Sequence, residues 1–156
     1  MEYEICGLGH PRAPQSGLAE AAQKIVSAPD GTLTIPALAH HKPSGSFVPM
    51  KSFLGGMQMH CIGGYNADYA VTVPAAGRYA LTAQVVTVQV GQKLLVTANN
   101  SKTPIELEVP YTLGQWEQTK PIDVTLDKGA NVLHIALQDG SRGVTVKHFT
   151  LKPQNP

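Results

Sequence analysis

Aromatic side chains are scarce in this chain, at 6% of its residues, and there is a single tryptophan, Trp116. Charge is scarce as well: charged residues make up 15% and the formal net charge is +1. Nucleic acids and anionic membrane surfaces are held by concentrated positive charge, so neither is expected as a partner. No stretch approaches the run of about 18 apolar residues that a membrane-spanning helix needs. The residues after Met1, EYEIC, lack the apolar core of an export signal, so the compartment is not written there. The two cysteines, Cys6 and Cys61, form no CxxC. They read either as a disulfide tying the N-terminal segment to the middle of the chain, where loop entropy would contribute about 4 kcal/mol, or as two separate buried thiols.

What the chain has instead is glycine and proline, 15 and 12 residues respectively, among many valines and threonines. That mixture belongs to strands joined by tight turns. A length of 156 residues suits one domain over residues 1–156 and leaves little room for a second.

The pattern changes character near residue 66. Residues 1–61 read as an irregular lead-in: GLGHPRAPQSG as a loop, GLAEAAQKIV as one or two helical turns, DGTLTIPAL as a brief strand and HHKPSGSFVP as a further loop. After it, alternation is regular. Tyr69, Val71 and Val73 share one face, as do Tyr79, Leu81, Ala83 and Val85; Ile105, Leu107 and Val109; Ile122, Val124 and Leu126; and Leu133, Ile135 and Leu137. Glu106 and Glu108 take the opposite face of their strand, which must therefore be wet on one side. Short strands with one polar face, and no crossover helices between them, predict an all-β fold: an antiparallel two-sheet β-sandwich.

Motifs for catalysis are missing. There is no GxSxG, HExxH, P-loop or dinucleotide fingerprint. Cys6, His10, His40, His41, His60 and Cys61 are metal-ligating types, but their spacing matches no specific zinc motif; ordinary loop histidines are the alternative to a metal-assisted enzyme built on this part. Glu106 and Glu108 could approach the carboxylate spacing of a glycosidase, yet an alternating solvent face offers nothing to raise one pKa. Arg12, Lys42, Lys51, Arg78, Lys147 and Lys152 read as dispersed solubilising charge.

The aromatics divide by phase. Tyr69, Tyr79 and Phe149 fall with inward apolar positions. Tyr65 precedes a strand in IGGYNADY, and Tyr111 and Trp116 flank TLGQ between strands. Rings at loop tips can stack on the C–H faces of a sugar while adjacent amides bond its hydroxyls. A lone tryptophan can equally plug the open end of a sandwich core.

NADYAVTVPAAGRYALTAQV, LLVTANN, VPYTLGQWEQTKPIDVTLDKGANVLHIAL and GVTVKHFTL, in that order, resemble the family 6 and family 35 carbohydrate-binding modules over residues 62–152. The resemblance implies a jelly-roll, galactose-binding-like sandwich that is non-catalytic. It implies a glycan or polysaccharide partner, a linked catalytic domain, and secreted or periplasmic placement within a larger protein. It matches Tyr65 and Trp116 to two sugar-stacking positions, with Asn66, Gln115 and Glu117 as neighbouring polar groups. Thr145 stands where the family often has a sugar-bonding asparagine, and Lys147 where it often has an aspartate that helps hold structural calcium. Threonine cannot present an amide's paired groups, and a lysine ammonium opposes a cation. No other cofactor is expected. The alternative is a structural or interdomain packing sandwich without a ligand of its own.

Overall fold

The computed structural model describes residues 24–53 and 55–154. The GLGHPRAPQSG loop and the expected helical turns, up to Gln23, lie outside the described residues, as do Cys6, His10 and Arg12. The strands are β1 (Val26–Ser27), β2 (Leu33–Pro36), β3 (His41–Lys51), β4 (Met57–Val73), β5 (Gly77–Val86), β6 (Gln92–Ala98), β7 (Ile105–Val109), β8 (Glu117–Gln118), β9 (Ile122–Leu126), β10 (Gly129–Leu137) and β11 (Val144–Pro153). Every pairing among them is antiparallel.

They form a curled sheet folded on itself into a jelly-roll-like sandwich. In the first layer β5 lies between β11 and the short β8 and β9, while the far edge of β11 takes β2 and the start of β4. The second layer runs β4, β10, β6, β7. β4 belongs to both: Met59–Cys61 pair with β11, and Asn66–Val73 pair with β10. It bends between those stretches at Gly64, whose φ is +62°. β3 stays paired with β4 across the bend through register shifts around Ser44–Phe47. There Gly45, with φ +82°, comes so close that an added Cβ would sit 2.2 Å from the Gly64 carbonyl oxygen. Only glycine fits at that crossing.

The core is the set of inward positions from both layers. Tyr69, Val71 and Val73 of β4, Tyr79, Leu81, Ala83 and Val85 of β5, and Leu133, Ile135 and Leu137 of β10 are all buried, as the alternation predicts. In β11 Val144 and Val146 point inward, then Phe149 and Leu151 do. That change of phase comes from a bulge at Lys147: Val146 pairs with Val85 and His148 with the adjacent Gln84. Ile105 departs from expectation, being 36% exposed. It keeps the inward phase, opposite Val96, but opens the edge strand β7 at the rim of the core.

The lead-in also departs. HHKPSGSFVP is mostly strand β3, not a loop, and β4 begins ten residues before the expected onset at residue 67. β2 inserts beside β11 and contributes Leu33 and Ile35 to the core. These residues belong to the sandwich itself. The prolines of β3, Pro43 and Pro49, are tolerated because β3 is an edge strand, where a missing N–H costs no pairing.

Candidate functional site

Trp116 leads into β8, whose Glu117 pairs with Val85 and whose Gln118 pairs with Gln84. The preceding turn is tight, with Leu113 at φ +53° and Gly114 at +82°. It is tied to the β5–β6 loop by threonines: the Thr112 hydroxyl donates to the Thr87 carbonyl and accepts from the Thr87 N–H, both at 2.9 Å. The two joined loops expose Val88, Val90, Tyr111 and Leu113, which makes an apolar rim. The indole is half-buried, with Gln115 and Glu117 exposed on either side of it.

Lys147 reaches the same place from β11. The bulge takes it out of the strand's alternation, its carbonyl accepts the Ala37 N–H at 3.0 Å, and its Nζ stands 5.9 Å from the Trp116 ring centroid. That is within cation–π range. Two residues back along β11, Thr145 pairs with Val86 on one side and His60 on the other, and its Oγ1 lies 2.8 Å from His60 Nδ1. Trp116, Lys147, Thr145 and His60 therefore belong to the outer side of the first layer. Thr145 is only 8% exposed, so what it offers a ligand is offered jointly with His60.

Tyr65 does not join them. It was expected in a loop, opposite Trp116, but it lies within β4 and is 1% exposed. The reason is phase: Met59, Cys61, Tyr65, Ala67 and Tyr69 are all inward. Its hydroxyl is committed to a buried relay. The Tyr69 hydroxyl donates to the Ala37 carbonyl at 2.7 Å, so Tyr65 must donate to Tyr69 (3.0 Å), and His40 Nδ1 must donate to Tyr65 (2.9 Å). Burial pushes the pKa of both phenols up. Asn66, next along, faces outward from the second layer opposite Ala136. It too is parted from Trp116.

The described members of the Cys/His set do not converge. His60 and Cys61 are consecutive in a strand and face opposite sides, His40 is held by Tyr65, and His41 pairs with Asp68 along β3. Among the described residues no group of three or more His, Cys, Asp or Glu is placed to hold a metal ion. Among the described residues Cys61 is a buried free thiol, its pKa pushed up to about 12 by burial; Cys6, its partner in the disulfide alternative, is outside the described residues. Glu106 is neutralised by Lys93, Nζ to Oε2 2.6 Å, which leaves Glu106 and Glu108 without the environment of an acid–base pair.

A concavity on the other layer was not legible in the sequence. The outer face of β4, β10 and β6 carries an open groove of about 640 Å³ lined by Asp68, Thr97, Asn99, Asn100, Asp127 and His134 over a floor of Ala130 and Val132. His134 Nδ1 is 2.8 Å from Asp68 Oδ1. Asn99 is fixed at its edge, donating to Asn131 at 2.8 Å and accepting from the Val132 N–H at 2.9 Å. The signal lay in outward positions of adjacent strands, and only the strand order brings them together. No Phe, Tyr or Trp ring is among the residues that line the groove.

The half-buried histidines His40 and His148 make acid stability a test of the relay. His40 is lowered from 6.5 by burial and then by His41, and His148 is lowered from 6.5 by burial and then by Lys147. The unfolded chain binds these protons first, so their contribution is complete above about pH 6.5 and is lost as pH falls from there toward the lowered folded values. Urea midpoints should drop between pH 7 and pH 5. His40→Gln keeps a donor for Tyr65 and removes the titration, so it should shrink that drop; an undiminished drop would exclude His40.

No protein-family model and no curated protein matches this sequence. Solved structures do match. The C-terminal CBM6 of LamC, a marine laminarinase from Zobellia galactanivorans, aligns with a TM-score of 0.69 at 20% identity, covering 78% of this chain and 99% of that one. A carbohydrate-binding module, CBM6cm-2, from Cellvibrio mixtus lichenase 5A, solved with cellotriose, aligns at 0.65 and 21%, covering 78% and 97%. The chain has the fold of the family 6 and family 35 carbohydrate-binding modules. In the GH26–CBM35 mannanase of Podospora anserina (TM-score 0.64, 19% identity), the match covers 81% of this chain and 28% of that one, so there the shared fold is one part of a longer enzyme.

Proposed function

We propose that this domain binds carbohydrate without catalysis and holds a linked glycan-active enzyme on its polysaccharide, working outside the cytoplasm where such polymers lie. The observation that carries the reading is the half-buried Trp116 indole on the outer side of the first layer, with Gln115 and Glu117 beside it and Lys147 and the His60–Thr145 pair on the strands next to it. An apolar face for the sugar ring and polar groups for its hydroxyls are the two things such a site requires. Tethering then raises the effective concentration of the linked enzyme at its substrate. Calcium has no part in this reading, because Lys147 stands where the resemblance places a liganding carboxylate and its ammonium lies over the indole.

The exposed rim of Val88, Val90, Tyr111 and Leu113 favours a second reading, in which a neighbouring domain covers this end of the sandwich. A glycan-array screen of the domain, followed by tryptophan fluorescence titration of each hit, separates the two. A saturable change in emission is expected with at least one glycan. An array with no hits would end the carbohydrate reading and leave the packing one.

A further inference from the structure

The tip of the β3–β4 hairpin carries features that folding does not require. β3 and β4 pair as far as Lys51 and Met57. A tight turn closes beyond them: the Ser52 N–H donates to the Gly56 carbonyl at 2.9 Å and the Gly55 N–H to the Ser52 carbonyl at 3.0 Å. The turn holds Phe53 out to solvent, 98% exposed. Ser52 beside it is only 7% exposed, and its hydroxyl is buried with no hydrogen-bond partner among the described residues. A buried polar group left unsatisfied costs about 1–3 kcal/mol. Ser52 lines a cavity of about 180 Å³ together with Lys51, Gly55, Gly56 and Met57. The two glycines, at φ +89° and +74°, have nothing within 4 Å of where a Cβ would stand, so that wall of the turn is clear.

This cavity is continuous with the first layer. Gly56 and Met57 also line a neighbouring cavity of about 170 Å³, whose other walls are Thr34, Pro36, Lys147 and His148, and Lys147 reaches on to the Trp116 ring. The hairpin tip and the indole therefore lie along one surface, joined through Met57 and Lys147. Crossing it passes over β3, β4, β11 and β5, each paired with the next, which with the reach to the tip makes on the order of 20 Å. That is several sugar units, more than a single ring on Trp116 occupies. We propose that the hairpin tip is a distal subsite for the same glycan chain, with Phe53 stacking on a sugar ring and the Ser52 hydroxyl bonding a substituent of that sugar inside the cavity. An apolar ring beside a directed hydroxyl is the combination a sugar needs. The proposal rests on the carbohydrate reading above and adds a second point of contact, which makes chain length part of recognition.

The test uses xylo-, cello- and laminari-oligosaccharides, from the disaccharide to the hexasaccharide, titrated by calorimetry. In the series that binds, the hexasaccharide should bind at least about tenfold more tightly than the disaccharide. Phe53→Ala should remove that advantage while leaving disaccharide affinity and the urea midpoint unchanged, since the ring is bare in the free domain. Ser52→Ala should weaken the hexasaccharide alone and cost no stability, because the free domain loses no hydrogen bond. Trp116→Ala should weaken every length. An affinity flat with chain length, or a Phe53→Ala variant that holds the hexasaccharide as tightly as the native chain, would overturn the distal subsite while the carbohydrate reading stood. If no series binds, both fall. Should Ser52→Ala fail to fold, Phe53→Ala, which changes only an exposed ring, decides the matter.

Discussion

Tyr65→Ala is expected to cost about 3–5 kcal/mol of folding stability, the range for truncating a large buried aromatic. The side chain is among the largest that are fully buried, and it packs edge-on against Phe47 with ring centroids 5.4 Å apart. Its loss opens a cavity where the bend of β4 joins the two layers. It also strips Tyr69 and His40 of a hydrogen-bond partner. Domains of this size have about 5–15 kcal/mol in total, so the variant should lose about a third or more of a mid-range stability. Tyr65→Phe keeps the packing and removes the relay, and should cost about 1 kcal/mol. Urea unfolding of the three proteins measures both. A Tyr65→Ala variant with an unchanged midpoint would mean that the ring lies outside the core.

That contrast shows where the sequence was readable. Strands β5, β7, β9 and β10 announce themselves because every second residue along them is apolar, in β10 from Leu133 onward, with strict apolar–polar alternation in β7 and β9, and Gly, Pro or Asn punctuates their ends. β4 carries the same signal, with Met59, Cys61, Tyr65, Ala67 and Tyr69 at odd positions, but Gly63 and Gly64 interrupt it in the middle. Paired glycines ordinarily mark a turn. Here they allow one strand to bend from one layer into the other, and Tyr65, read as sitting in a loop, inherits the inward phase instead. β3 was hidden for a different reason. It is exposed along most of its length, so no apolar face marks it, and its prolines argue against a strand unless its edge position is known. The sites follow the same rule. Trp116 could be located beside a loop from its own neighbours, whereas its meeting with Lys147, and the groove of Asp68 and His134, depend on strand order, which alternation does not encode.

Trp116→Ala should lower glycan affinity by at least about 30-fold, the loss of about 2 kcal/mol that a central aromatic contact commonly carries. Because the ring is only half-buried, the cost in stability should be about 1 kcal/mol, including the cation–π contact with Lys147, or a few degrees in Tm for a chain of this length. The variant no longer has a tryptophan, so its binding must be followed by calorimetry. In the native chain the same fact is an advantage, since Trp116 is the sole indole and any ligand-dependent emission reports on its surroundings. Asp68→Ala and His134→Ala complete the comparison: both lie on the outer face of the second layer, against the Lys147 side of the first. Binding that survives at these two variants and fails at Trp116→Ala places the sugar on the indole. Binding that fails only at Asp68→Ala and His134→Ala moves it to the groove, where hydroxyl-directed hydrogen bonds would have to replace stacking as the source of affinity.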